Sequence, residues 1–195
     1  NAEFAALVDD AHARGMKVFM DIVTNHTADV IQLEGHTGYR NKRDFPYRDV
    51  NGVACDDSDY AYAGQADYTF PEVDASSFPY VPTVPAEETD AKNPAWLNDP
   101  LLYHNRGNTS FSGENSLYGD FFGLDDLWTE RREVVEGMVD IYSFWIEEFG
   151  VDGFRIDTTK HVNLEFWQVF GPEILDAARG AGIEQVRAHL AALAE

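Results

Sequence analysis

The sequence predicts an α/β protein built on a parallel sheet. Two stretches carry that prediction: residues 15–27, GMKVFMDIVTNHT, and residues 150–162, GVDGFRIDTTKHV. Each is a short apolar run that follows a helical pattern and ends in polar residues. Helix, strand, helix in that order implies parallel strands joined by crossover helices. The third observation is the long irregular stretch between the two units, which reads as an insertion and divides the chain into 1–27, 28–118 and 119–195.

The elements follow in order. The chain opens on a helix with Asn1 as its cap, Phe4, Leu7, Val8 and Ala11 as its apolar stripe, and Gly15 as its end. The first strand is the buried-looking run Val18, Phe19, Met20, Ile22 and Val23, which carries Asp21 and delivers Asn25 and His26 at its carboxyl end. A helix over 129–149 is capped by Thr129, faces inward with Val135, Met138, Tyr142, Trp145 and Phe149, and stops at Gly150. The second strand follows directly. A further helix starts near Asn163 with Phe166, Trp167 and Phe170 apolar, and Pro172 is expected to break or kink it. Beyond Gly180, Ile183, Val186, Leu190 and Leu193 fall at helical spacing, so Glu184 and Glu195 lie on a helix or tail.

The insertion, 28–118, is rich in Asp, Asn, Gly and Ser and holds most of the prolines. Its aromatics (Tyr39, Tyr47, Tyr60, Tyr62, Tyr68, Phe70, Phe78, Tyr80) argue for a folded, loop-rich unit, because disordered chains are poor in such residues. Most of them read as core. Trp96, Tyr103 and His104 are candidates for contact with a ligand, and the acidic runs Asp56, Asp57, Asp59 and Glu87, Glu88, Asp90 are either a solvated face or a cation site.

With 14 basic and 35 acidic residues the formal charge is −21, which repels phosphate backbones and anionic membranes and argues against nucleic acid as a partner. No apolar run approaches the roughly 20 residues that span a bilayer, and no stretch of these residues reads as a signal peptide, which says nothing about secretion. The single Cys55 precludes an internal disulfide. The six histidines are scattered, with no HExxH and no cysteine pair to suggest zinc. Two glycosylation sequons, at Asn25 and Asn108, read as chance matches. Oligomeric state is not legible.

The strand ends carry the chemistry. Arg155, Asp157, Lys160 and His161 crowd one strand-to-loop junction, the place where parallel α/β folds put their active-site groups. A carboxylate beside an arginine is held ionised, which suits a nucleophile better than a proton donor, so Asp157 is the candidate for the central role. A structural Arg–Asp pair is the plain alternative. At the other junction an Asn25 amide oxygen suits a hard cation such as calcium, and His26 can donate to a sugar hydroxyl or a carboxylate.

Together DIVTNH (21–26) and GFRIDTTKH (153–161) resemble the first and second signature regions of the α-amylase family of glycoside hydrolases, in the family's order. GLDDLWTE (123–130) resembles the short segment where that family's inserted domain returns to the barrel, and YHNRGNTSFSGENSLYGDFFGLDDL is similar to amylases and cyclodextrin-forming relatives. The resemblance covers the chain to about residue 175. It implies a portion of a (β/α)8 TIM barrel, about strands 3 to 4 with flanking helices, carrying a long irregular inserted domain that walls the sugar cleft. It further implies Asp157 as nucleophile, Arg155 as the residue that orients it, His26 as a contact to the sugar at the cleavage point, and Lys160 and His161 as contacts on the leaving-group side. Asn25 and Asp126 match side-chain ligands of a structural calcium, His161 matches a residue that lends its backbone carbonyl to the same ion, and Asp21 matches an acidic residue that braces the site.

Two departures qualify the resemblance. A retaining glycosidase needs a second carboxyl about 5 Å from the nucleophile, and no strand ending in a suitable glutamate follows Gly180, so no acid catalyst is assigned. The 195 residues also fall short of the roughly 250 of a complete barrel, so the chain by itself is expected to be inactive and to have open strand edges. The expected function is retaining hydrolysis of α-1,4-linked glucans with calcium as cofactor, in a secreted or extracellular setting. The alternatives are a glucanotransferase or another α-glucosidase of the family, or a non-catalytic calcium- and sugar-binding remnant. A transporter-associated relative would be expected to have lost Asp157, which is present.

Overall fold

A computed structural model describes residues 1–35, 38–55 and 71–182. The acidic run at 56–59, Tyr60, Tyr62, Tyr68, Phe70 and the apolar pattern from Ile183 onward lie outside the described residues.

Helix α1 spans Ala2–Ala13 and strand β1 Phe19–Val23. Helix α1 buries only Val8 and Ala11, with Phe4 packed edge-on against Trp145 and Phe149. Asn1 stands at the N-cap position but its side chain makes no cap hydrogen bond, and Leu7, expected in the stripe, is 60% exposed. A chain segment rich in Asp, Gly and Ser then follows β1, with a two-residue antiparallel pair, β2 (Gln32–Leu33) with β3 (Pro82–Thr83), short 3-10 turns and the single-turn helix α2 (Asn115–Tyr118).

Helix α3 covers Arg132–Phe149 and strand β4 covers Gly153–Asp157. Gly150 ends α3 in the left-handed conformation (φ 66°), which glycine adopts without a Cβ clash, and its N–H closes on Ile146 O. The N-cap of α3 is Arg131 rather than the expected Thr129, whose N–H instead closes a turn on Leu127 O at 2.8 Å. Helix α4 runs Leu164–Gly180 and continues through Pro172. The loss of one helical hydrogen bond there is offset by the buried stripe Phe166, Phe170, Ile174 and Ala178, which holds both halves on the same surface.

Strands β1 and β4 pair in parallel, with Asp21 opposite Arg155 and Val23 opposite Asp157. Helices α3 and α4 pack on each other and on one face of this pair, and the main core (Ile22, Val134, Val135, Met138, Ile146, Phe154, Ile156, Phe166, Phe170) lies between. Tyr142 sits between Phe154 and Phe170, and its hydroxyl donates to Val23 O at 2.7 Å, tying α3 to the carboxyl end of β1. The other face is open. Phe19 is 48% exposed, so of the run expected to be buried only Ile22 is fully so, with Met20, on the same face, packed partly against the core. Among the described residues the parallel sheet has two strands and no closed barrel.

The irregular segment has its own interior. Tyr47, Phe78 and Trp128 form a small aromatic core, and Arg106, fully buried, donates to Tyr47 Oη and to the carbonyls of Arg40 and Phe45 at 3.0–3.1 Å. A second buried cation, Lys92, pairs with Asp125, which also accepts the backbone N–H groups of Val30 and Ile31. The segment returns to β1 through Thr27 N to Asp125 O and Leu127 N to Asn25 O, both 2.9 Å, so residues 25–27 and 125–127 lie side by side.

Candidate functional site

The register places Asp21 and Arg155 on adjacent strands, and the two-residue period of a strand brings Asp157 onto the face that carries Arg155. One guanidinium nitrogen, Nη1, donates to Asp21 Oδ1 and Oδ2 at 2.9 and 3.0 Å and lies 3.1 Å from Asp157 Oδ1. The hydrogen bond to Asp21, then the charge of Asp157, hold the Arg155 proton more firmly than usual. All three side chains are open to solvent, 50% exposed or more.

Just beyond, Thr158 adopts φ 57° and its hydroxyl donates to Asp157 O at 2.7 Å. That turn sends residues 159–161 into a 3-10 helix with Lys160 exposed. His161 is turned in and only 5% exposed. Its Nδ1 donates to Ser116 O at 2.7 Å, with Ser116 Oγ 3.0 Å away. His26 stacks on Phe121 (centroids 5.1 Å apart) and accepts from Asn25 Nδ2 at Nδ1, 3.2 Å. An acceptor at Nδ1 leaves the proton on Nε2. Burial lowers the His26 pKa and the nearby His161 lowers it further, against the pull of the Asp157 charge, so the ring is a neutral donor.

Beside these groups stand residues that the sequence reading did not single out. Phe122 is 80% exposed and Phe111 40% exposed, and both pack against Phe121. Phe111 and Phe122 have positive φ (59° and 57°), an uncommon conformation for a bulky residue. The FF pair at 121–122 was the visible signal, but alternation alone does not say which of two adjacent rings faces water. The expected ligand contacts of Tyr103 and His104 are corrected: both are 1% exposed, with Tyr103 Oη donating to Leu97 O at 2.6 Å. Trp96 packs against α3, where a Cβ on Gly137 would come within 2.5 Å of the indole.

Asn25 and Asp126 converge behind His26. Asn25 Nδ2 donates to Asp126 Oδ1 at 3.0 Å, and the two residues are 2% and 1% exposed. Asp126 Oδ2 accepts from His104 Nδ1 at 2.7 Å, and His104 Nε2 meets Glu130 Oε2 at 2.9 Å. Asp120 accepts the Asp126 N–H. Burial pushes the carboxyls of Asp120 and Asp126 up to about 7. His104 goes the other way from what burial alone would do: the charges of Glu130 and Asp126 raise it to about 9.

Two buried carboxylates, Asp126 and Glu130, thus face a single imidazole, Asp120 stands beside them on the Asp126 N–H, and Glu130 Oε1 is buried without a partner, a concentration of acids and lone pairs that suits a cation. Among the described residues no three His, Cys, Asp or Glu side chains are arranged to hold a metal ion. Any ion here would draw on amide and main-chain oxygens as well as Asp126, the donor set that calcium accepts. The contacts of the His161 side chain are with Ser116, Phe111 and Phe121.

Comparison with known proteins supplies the remaining evidence. The family described as alpha amylase, catalytic domain, matches residues 1–176. An alpha-amylase of Streptomyces lividans is 54% identical over 168 residues, 86% of this chain and 18% of that protein. A cyclomaltodextrin glucanotransferase of Geobacillus stearothermophilus is 27% identical over 83% of this chain and 17% of its own length. The crystal structure of an Anoxybacillus alpha-amylase superposes with a TM-score of 0.51 at 27% identity, covering 91% of this chain and 26% of that one. The chain therefore spans about a fifth of the length of the relatives it matches.

Proposed function

Because this chain belongs to the α-amylase catalytic-domain family, whose fold is a TIM barrel, we propose that it contributes barrel strands 3 and 4, with residues 28–118 as the inserted domain, to an enzyme that hydrolyses α-1,4-linked glucans with retention. The observation that carries this reading is the Asp21–Arg155–Asp157 ladder, which runs from the middle of two adjacent parallel strands to the carboxyl end of β4.

In the proposed reaction an Asp157 oxygen attacks the anomeric carbon, and the bond from that carbon to the glycosidic oxygen breaks. The leaving oxygen keeps the electron pair and takes a proton from a carboxylic acid about 5 Å from the nucleophile. No residue described here is assigned that acid. Water then attacks the glycosyl-enzyme, gives its proton to the same acid in its ionised form, and releases Asp157. Arg155, itself braced by Asp21, fixes the direction of the attacking oxygen. His26, through Nε2, donates to a hydroxyl of the sugar being cleaved, and Lys160 contacts the leaving side, while His161, expected there too, is turned in on Ser116 and backs the turn that carries Lys160. The exposed rings of Phe122 and Phe111 offer apolar faces on which a pyranose can stack.

Asn25, Asp126 and the His161 carbonyl would hold calcium, which would neutralise the buried acids and tie the irregular segment to β1. The family resemblance extends to a secreted location. Transfer to a second sugar instead of water is the alternative, favoured by the likeness to the glucanotransferase.

The test is covalent trapping on the polypeptide as its host produces it. A 5-fluoro-α-glycosyl fluoride needs no proton for its departing fluoride, and mass spectrometry is expected to find the sugar on the Asp157 peptide. Labelling of a different carboxylate, or no labelling by a preparation that degrades α-glucans, overturns the assignment. Cyclic or lengthened products from maltooligosaccharides, in place of new reducing ends, would favour the transferase.

A further inference from the structure

His104 is a buried histidine for which the proposed reaction has no use. It is 1% exposed, so no sugar reaches it, and it is not among the residues proposed to bind calcium. Both ring nitrogens are nevertheless committed to carboxylates, Nδ1 to Asp126 Oδ2 at 2.7 Å and Nε2 to Glu130 Oε2 at 2.9 Å. Its backbone N–H also binds Asp126 O at 3.0 Å, and Tyr118 and Trp128 hold the ring from the sides. Asp126 is thus gripped twice by one residue.

The grip is directional. With Oδ2 taken by His104, Asp126 can turn only Oδ1 toward Asn25, 3.0 Å away. Carboxylates that ligate a metal are themselves hydrogen-bonded by outer residues that fix their orientation, and His104 makes such a bond to Asp126. Glu130 serves as the anchor for the ring: one of its oxygens is on Nε2 and the other has no partner.

We propose that His104, anchored by Glu130, is the positioning residue of the cation site, holding Asp126 with one oxygen facing Asn25. This rests on the calcium reading above. It differs from a purely structural role, in which His104 would only stabilise the packing of residues 103–105 against 126–128.

The experiment is calcium titration of the whole chain by calorimetry and chelator competition, with folding followed by circular dichroism in calcium and in chelator. An asparagine side chain places its N–H near the position of a histidine Nδ1, and a glutamine places it near Nε2. His104→Asn combined with Glu130→Gln is therefore expected to keep calcium affinity within a few fold of wild type. His104→Gln, which keeps the Glu130 contact and releases Asp126, is expected to lose about 10–100-fold. Glu130→Gln alone, which leaves the ring with a neutral anchor, is the second variant should His104→Gln not fold, and is expected to weaken calcium binding by a few fold.

Wild-type affinity in His104→Gln, or in Glu130→Gln where that variant stands in, overturns the proposal, even with a lowered melting temperature. If wild type binds calcium and Asn25→Ala and Asp126→Ala bind it equally well, the cation site lies elsewhere, and the reading on which the proposal rests falls with it. Absence of calcium binding by folded wild type has the same consequence.

Discussion

Asp152 and Asp157 stand at opposite ends of one strand and have opposite surroundings. Asp152, at the amino end, is 4% exposed and receives Lys17 Nζ at 2.7 Å, the Val18 N–H at 2.8 Å and His12 Nε2 at 2.8 Å. Asp157, at the carboxyl end, is 50% exposed and has one cationic neighbour at 3.1 Å, whose stronger commitment is to Asp21. The first carboxylate has its lone pairs filled by the protein. The second keeps one oxygen for something else. In parallel α/β folds the amino ends of strands serve stability and the carboxyl ends serve chemistry, and here the difference is visible in the count of donors around the aspartate just before β4 and the one that ends it.

The comparison breaks most sharply under amide substitution at each end. Asp157→Asn is expected to lower glucan cleavage by on the order of 10⁶-fold, as for other covalent nucleophiles, while leaving the free energy of unfolding within about 0.5 kcal/mol of wild type. If the Asp157 change lowered stability by several kcal/mol and the folded protein kept its activity, the two aspartates would have been assigned the wrong way round. Arg155→Lys comes next. It keeps the charge, but a flexible ammonium stem does not hold one nitrogen between Asp21 and Asp157 as the rigid guanidinium does with Nη1, and a misdirected nucleophile costs about 10²-fold in kcat. The signature is a kcat that falls with KM near wild type.

Asp152 gives the mirror-image result. Burial alone would raise its pKa, but Lys17, the Val18 N–H and His12 together outweigh that and hold the carboxyl below its ordinary range. The unfolded chain therefore takes up this proton first as pH falls. The stabilisation is complete above about pH 4, the ordinary aspartate range, and is lost below it as acid titrates the folded carboxyl. Asp152→Asn should cost about 1–3 kcal/mol at pH 7, and denaturant midpoints of wild type and variant should converge as pH is lowered from 5 to 3. A constant gap across that range would mean that packing, not the ion pairs, accounts for Asp152.

Of the two ends, the carboxyl one was the more legible in sequence. The clusters after Val23 and Ile156 stand out because polar residues so dense at a strand's end have few structural uses, and period-two alternation then places Arg155 and Asp157 on one face. Parallel pairing followed from the order of elements. What stayed hidden depends on contacts between distant segments. Asp152 did not stand out, since its partners His12 and Lys17 lie more than 130 positions away. His104 read as a surface ligand contact because nothing local shows that Asp126 and Glu130 close around it. The caps failed for a related reason: Thr129 and Asn1 have the right side chains, but the chain turns into α3 two residues later than Thr129, and Asn1 makes no bond to the helix it precedes.

The smallest expected effect concerns the surface beside the open carboxylate. Phe122 keeps 80% of its area in water beside Phe111 and Phe121, in a backbone conformation unfavourable for a bulky side chain. A ring so exposed contributes little to the core, so Phe122→Ala should leave the melting temperature nearly unchanged. If the ring stacks on a sugar face, the same change removes an aromatic contact worth about 0.5–1.5 kcal/mol. Maltooligosaccharide affinity would then fall by a few fold to about tenfold. Loss of stability without loss of affinity would make Phe122 part of the packing around His26 and Phe121. The carboxyl end of the sheet would then offer a nucleophile without a platform beside it, and the stacking surface would have to come from elsewhere.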